Sequence, residues 1–257
     1  MILTRRVALG GVQLDSLHNR IVIRRVDTGV PHEAVSAVSR MGGYGMRMTS
    51  QHWETLEVGV TFAIDVPKRN MALRREIFDT VNSWAMKCGW LTTNEQPGKR
   101  MYADKCVIPN SADLWDWTDE YTIIFRAYNV PFWQDAEATT VTGTLASGNV
   151  SLFVHGNVES VLDVTFENTS GGVIDNFSIS VSSSTLNLTG INLANGSTLT
   201  ITHGTDGILR IRKGVSTSLL DKRSGSDDLY AKPGTRSVAV VADGEGVLTV
   251  SNYGRYV

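Results

Sequence analysis

The sequence predicts a mainly β protein, with one α-helix packed on strands in its first half and a β-sandwich in its second. Three observations carry that prediction. In "TLEVGVTFAI", Leu56, Val58, Val60, Phe62 and Ile64 alternate with Thr55, Glu57, Gly59, Thr61 and Ala63, the period of two that lets a strand bury one face. In "NMALRREIFDTVNSWAMKCG", Ile77, Val81, Trp84 and Cys88 recur at helical spacing, and Phe78 and Ala85 widen the stripe. From about residue 139 onward the chain is a succession of short β signals punctuated by turn residues, with no segment that reads as a long helix.

The two halves use different vocabularies. All six tryptophans, both cysteines and all seven methionines lie at or before Trp133, and the remainder is dominated by Ser, Thr, Gly, Val and Leu. Two such compositions predict two cores, and the reading places domains at 1–133 and 134–257.

In chain order, "RIVIRRV" reads as a strand whose buried face the pattern leaves open. Residues 29–53, "GVPHEAVSAVSRMGGYGMRMTSQHW", hold glycines 42, 43 and 45 and no sustained period, and so read as an extended arm. The helix follows, with Asn70 as its N-cap and Gly89 just past its end. "KRMYADKCVIP" and "DEYTIIFRAYNVPFW" are further strands, the second with Tyr121, Ile123, Phe125 and Ala127 on one face. Pro131 cannot donate a ladder hydrogen bond, so it ends its strand, and Phe132 with Trp133 is expected to fasten the chain's exit to the first core. Pro131, Phe132 and Trp133 therefore mark the interdomain junction.

In the second half, "LDVTFEN", "NFSISV" and "TLNLTG" read as strands. "STLTIT" and "ILRIRKG" flank "HGTDG", where Asp206-Gly207 suits a hairpin turn. "SVAVVAD" and "GVLTVSNY" flank Gly244 and Gly246 and predict a second hairpin.

The search for chemistry returns absences. A formal charge of −2 and a pI near 6.2 give no basic field to hold nucleic acid. Two cysteines, Cys88 and Cys106, are too few for a disulfide framework and read as reduced, small buried hydrophobes. "HEAVS" at 32–36 lacks the second histidine of a zinc site, and "GGYGMRM" lacks the third glycine and the strand-to-helix context of a phosphate cradle. The five histidines are scattered singly, and the pairs Arg5-Arg6, Arg24-Arg25 and Arg74-Arg75 read as solvated faces or interface ion pairs. "DLWDWTDEY" gathers Asp113, Asp116, Asp119 and Glu120 beside Trp115 and Trp117, and a solvated turn with an indole folded onto the core outweighs a glycosidase cleft there. No catalytic residue, cofactor or metal site is expected. Neither a secretory signal nor the roughly 18 uninterrupted apolar residues of a membrane-spanning helix is present, so no membrane insertion is expected.

The order of parts carries a resemblance. "SRMGGYGMRM", "TLEVGVTFAI", a tryptophan-bearing helix followed by "GWLTT", and a strand ending "PFW" lead into "HGNVESVLDVTF", "NGSTLTI", "YAKPGTRSVAV" and a closing "YGRY". Nearly the whole chain resembles the distal tail protein (Dit) family of long-tailed, non-contractile bacteriophages and their prophages. The resemblance implies a structural virion protein at the distal end of a phage tail, assembled in the bacterial host cytoplasm. In that family the first domain builds a ring, usually a hexamer, that joins the tail tube to the baseplate or host-adsorption apparatus, and the second is a galectin-like, jelly-roll-type β-sandwich. The implied partners are other copies of the chain, the tail tube protein and the tail-associated lysin or tip protein, with the tape measure protein a further candidate. DNA would pass through the hole without specific nucleic-acid binding.

A closed ring needs a head-to-tail interface. The arm is expected to supply one side of it, with Tyr44, Met46 and Met48 lying on a neighbour and Gly42, Gly43 and Gly45 allowing close backbone approach. Two other readings stand beside this one. One is a carbohydrate-binding sandwich acting in host-surface recognition through Phe153, Phe166, Phe177, Tyr230, Tyr253 and Tyr256. The other is a cell-wall glycoside hydrolase built around Asp113 and Asp116.

Overall fold

The alternating run Leu56–Ile64 becomes the strand on which the first core is built, because every second residue must leave water while its neighbours stay at the surface. The computed structural model describes residues 5–39, 46–110 and 120–257. Its contacts divide the chain into two units, Met1–Trp133 and Gln134–Val257.

The first unit contains β1 (Val7–Leu9), β2 (Val12–Gln13), β3 (Ile21–Thr28), β4 (Glu33–Ser39), β5 (Met46–Trp53), β6 (Leu56–Ile64), α1 (Met71–Ala85), β7 (Gly89–Thr93), β8 (Lys99–Ala103), β9 (Lys105–Val107) and β10 (Glu120–Ala127). One sheet runs β3-β6-β10-β9, and β2-β1-β7-β8 are neighbours in another. The antiparallel register sets Val58 opposite Phe125, Val60 opposite Ile123 and Phe62 opposite Tyr121. All six are buried, and the helix lies over this row. Phe78 meets Tyr121 edge-on at 5.4 Å, and Trp84 meets Phe125 at 5.8 Å. Asn70 caps the helix by accepting from the Leu73 N–H at 3.4 Å.

Two sequence expectations fail on this helix. Arg74, read as part of a solvated face or an interface ion pair, is 1 % exposed. It donates to the Val66 carbonyl at 2.7 Å and to the Tyr121 hydroxyl at 2.8 Å. Cys88 is not on the stripe, because the helix ends at Ala85 and Cys88 sits beyond it in the left-handed region at φ 52°. Both cysteines are partly exposed rather than buried. They are also neighbours, and burial followed by the adjacent Cys88 thiol pushes the Cys106 thiol up to about 11.

β11 (Trp133–Asp135) runs across the division. The second unit then holds β12 (Thr139–Val154), β13 (Ser160–Asn168), β14 (Ile174–Val181), β15 (Ser184–Leu193), β16 (Thr198–His203), β17 (Leu209–Lys213), β18 (Thr217–Ser218), β19 (Arg223–Gly225), β20 (Tyr230–Ala231), β21 (Gly234–Asn252) and β22 (Arg255–Tyr256). Its sheet follows the path β18-β17-β16-β13-β21-β14-β15-β19, and β12 lies along β21. The first part of β21 pairs with β14 and the last part with β13. A single strand thus feeds both layers of a sandwich, and Phe166 of β13 meets Phe177 of β14 at 5.0 Å in the core between them.

This arrangement corrects the second predicted hairpin. Residues 234–252 form one strand, and Gly244 and Gly246 are not turn residues. They are glycines because other atoms crowd them. A Cβ on Gly246 would stand 2.3 Å from the Phe166 ring, and one on Gly244 would stand 2.7 Å from Ser170 Cβ. Residues 242–245, Gly244 among them, are absorbed by a bulge, where the register jumps from Leu145 opposite Gly246 to Ser147 opposite Val241.

The first predicted hairpin is present as β16–β17, with His203 opposite Leu209 and Gly207 at φ 72°. Asp206 locks its loop, accepting from the Ile208 N–H at 3.1 Å and pairing with Arg210 at 2.6 Å. The Arg210 hydrogen bond, aided by that N–H, lowers the carboxyl to about 2. A depressed folded-state value means that the pair's support is present above the unfolded-state pKa and is lost as pH falls towards 2. A side-chain carboxyl titration by NMR is expected to place the Asp206 midpoint near 2, and Arg210→Gln is expected to raise it. A native midpoint at the ordinary 3.8 would show that the pair does not hold in solution.

Candidate functional site

The segment read as an extended arm is a two-stranded hairpin. β4 and β5 pair only with each other among the described residues, from Glu33 opposite Trp53 to Ser39 opposite Met46, with a bulge between Ser36 and Ala37. Such a ribbon is marginal in water unless a third strand or a helix covers it. Val35 is 53 % exposed and Met48 56 % exposed on it. The described part of the unit therefore supplies little reason for it to stand.

Its base, by contrast, is fixed. The Trp53 ring meets Phe132 edge-on at 5.3 Å. The Glu54 N–H donates to the His32 carbonyl at 2.8 Å, and the Gly29 N–H donates to the Glu57 carbonyl at 3.0 Å. Gly29 is required there, since a Cβ would come within 2.1 Å of that carbonyl oxygen. Beside the base lies an open cleft of about 650 Å³ lined by residues that include His32, His52, Trp53, Glu54, Glu57 and Tyr128. Arg126 Nε lies 2.7 Å from Glu57 Oε1. The hydrogen bond to Tyr128 and then the Glu57 charge raise the Arg126 pKa, so its cation is secured. The cleft offers a mixed polar and aromatic wall at the base of the hairpin.

Of the residues expected at a ring interface, Met48 is exposed on β5 and Met46 begins that strand. Gly42, Gly43, Tyr44 and Gly45 lie outside the described residues, as do Asp113, Trp115, Asp116, Trp117 and Asp119 of the acidic aromatic stretch. Pro131, Phe132 and Trp133 are all buried. The edge-on contact between Trp53 and Phe132 escaped the sequence reading, since nothing local links residues so far apart in the chain.

In the second unit the aromatics offered for stacking on sugars divide. Phe166 and Phe177 are core residues, while Phe153 is 50 % and Tyr230 41 % exposed. Near Tyr230, whose hydroxyl donates to Asp228 at 3.1 Å, His203 Nε2 lies 2.9 Å from Asp228 and Nδ1 lies 3.4 Å from Asp163. Burial and then Asp228 raise the Tyr230 hydroxyl, and burial lowers the Arg255 guanidinium. The group ties the 226–231 segment to β13 and β16. Among the described residues no set of three His, Cys, Asp or Glu side chains is placed to hold a metal ion, and no helix is long and apolar enough to cross a membrane.

No family model matches this sequence, and no curated protein does. Solved structures do match. The crystal structure of SPP1 Dit, described as a paradigm of the hub adsorption apparatus in phages infecting Gram-positive hosts, aligns with a TM-score of 0.66 at 12 % identity, over 98 % of this chain and 99 % of that one. The phage P2 baseplate in its activated conformation with Ca aligns over 98 % of both chains at 7 % identity with a TM-score of 0.49. The corresponding Sr structure gives 8 % identity and 0.47. The first of these carries the comparison, and its identity is low enough that the likeness is one of fold. Both units in the same order, almost from end to end, have the fold of the SPP1 Dit hub protein.

Proposed function

We propose that this chain is the distal tail hub subunit of a long-tailed bacteriophage or prophage. It is a non-enzymatic virion protein that closes into a ring, six copies on the family resemblance, and joins the tail tube to the baseplate or host-adsorption apparatus. The first unit makes the ring, and the second is the galectin-like sandwich. The tail tube protein and the tail-associated lysin or tip protein are its neighbours, with the tape measure protein a further candidate. The observation that carries this reading is the match to SPP1 Dit over 98 % of the chain, since a shared sandwich alone would account for only the second unit.

The physics of the chain agrees. Among the described residues its hairpin has no third strand beside it, and a neighbouring copy in a head-to-tail contact would supply the cover it lacks. Its near-neutral charge gives a lumen no general hold on a passing polyanion. Purified protein is expected to show rings by negative-stain imaging, and its native mass is expected to be that of one ring or of a whole number of rings. Antibody against it is expected to label the tail end of intact virions. A chain that stays solitary at every concentration and never labels a tail tip would remove the reading.

A further inference from the structure

The second unit carries an edge that is managed unlike its others. β12 pairs with β21 alone among the described residues, so one side of this sixteen-residue strand is a row of backbone groups with no strand against it. The sequence along that edge, "TTVTGTLASGNVSLFV", contains no charged residue and no proline. The sheet's other ends are blunt: β18 has two residues, and β19 has three and begins with Arg223. In the first unit, the edge strand β3 carries Arg24, Arg25 and Asp27. Charges, prolines and short length are how natural sheets keep their edges from pairing with other chains. β12 has only its bulge at Leu145/Ser147, beyond which residues 147–154 run in unbroken register against β21.

We propose that residues 147–154 of β12 dock a second copy of this chain, strand against strand about a two-fold axis. The chemistry favours a copy over an unlike partner. A two-fold axis normal to the sheet brings each face of the strand against the same face of its image. The outer row Ser147, Asn149, Ser151 and Phe153 therefore meets itself, and no like charges oppose each other. Half-exposed Phe153 would be covered across the seam by a small polar residue of that row. The fold already builds neutral pairs of this kind across strands, at Thr142–Thr249 (3.3 Å) and Thr61–Thr122 (2.9 Å). A ring closed by head-to-tail contacts cannot use such a self-matching edge within itself, so the edge remains free to pair one ring with another, or one chain with another if no ring forms. The inference does not depend on the ring.

The test uses full-length protein and charge at the centre of the row. Ser151 is exposed, so Ser151→Lys and Ser151→Asp are expected to fold normally. Each brings like charges together at the seam, and each is expected to halve the native particle mass, whether the wild-type particle is a pair of chains or a pair of rings. Mixing the two variants is expected to restore the doubled mass, which only a copy-to-copy seam would do. In wild-type protein the amides of 147–154 are expected to exchange more slowly as concentration rises, with those of β19 unchanged. Equal masses for wild type and both variants with concentration-independent exchange, or a doubled wild-type mass that the mixture fails to restore, would overturn the proposal.

Discussion

Arg74→Met is expected to lower the unfolding free energy of the first unit by about 2–5 kcal/mol, and its melting temperature by on the order of 10 °C. Methionine keeps most of the stem that packs between helix and sheet, so the loss comes from what the guanidinium leaves behind. The Val66 carbonyl and the Tyr121 hydroxyl lose a donor in a place water does not reach, and each buried orphan costs roughly 1–3 kcal/mol. Against this stands the penalty of burying the cation itself, which its removal relieves and which can make a fully apolar replacement nearly neutral. The orphans decide the sign, and a second substitution isolates them. Arg74→Met with Tyr121→Phe removes one stranded group and is expected to recover about 1–3 kcal/mol relative to Arg74→Met alone, measured by denaturant unfolding. A single variant within about 0.5 kcal/mol of wild type would mean that Arg74 is not a structural residue.

Arg74 also shows where sequence reasoning stops. The stripe of Ile77, Val81 and Trp84 and the Asn70 cap are local signals, and local spacing exposes them. An arginine next to another arginine reads as surface, because the oxygens that justify its burial come from Val66 and from Tyr121, on a strand far along the chain. Gly246 fails in the same way. A glycine in a run of valines suggests a turn, and only the Phe166 ring, brought up by a different strand, explains why the position is glycine in an unbroken strand. The hairpin β4–β5 escaped for the opposite reason. Period-two alternation exists because one face of a strand is buried, and among the described residues no strand or helix is paired with this ribbon beyond its own two strands, so its sequence was not obliged to alternate. The feature that marks it as a candidate interface is what hides it as a strand.

Replacing residues 41–48 by a two-residue Asn-Gly turn is expected to abolish the proposed ring while leaving the melting temperature of the chain nearly unchanged. The two effects separate because β4 and β5 contribute no pairing to either of the larger sheets of the first unit. The base held by Trp53 on Phe132 and by the Gly29 and Glu54 hydrogen bonds lies outside the deleted stretch. A point substitution carries the same logic with less disturbance. Met48 is over half exposed, so Met48→Asp costs the separate chain little, but in a ring each copy would have to bury an unpaired carboxylate at its interface, a penalty of several kcal/mol per contact. Every subunit of a closed ring meets that penalty, so closure is expected to fail at concentrations where wild-type rings are complete. Native mass spectrometry and thermal melting of the same samples give both readouts. Intact rings from the shortened hairpin would move the interface elsewhere on the first unit, and a collapsed melting temperature would show that the ribbon supports its own fold rather than a neighbour's.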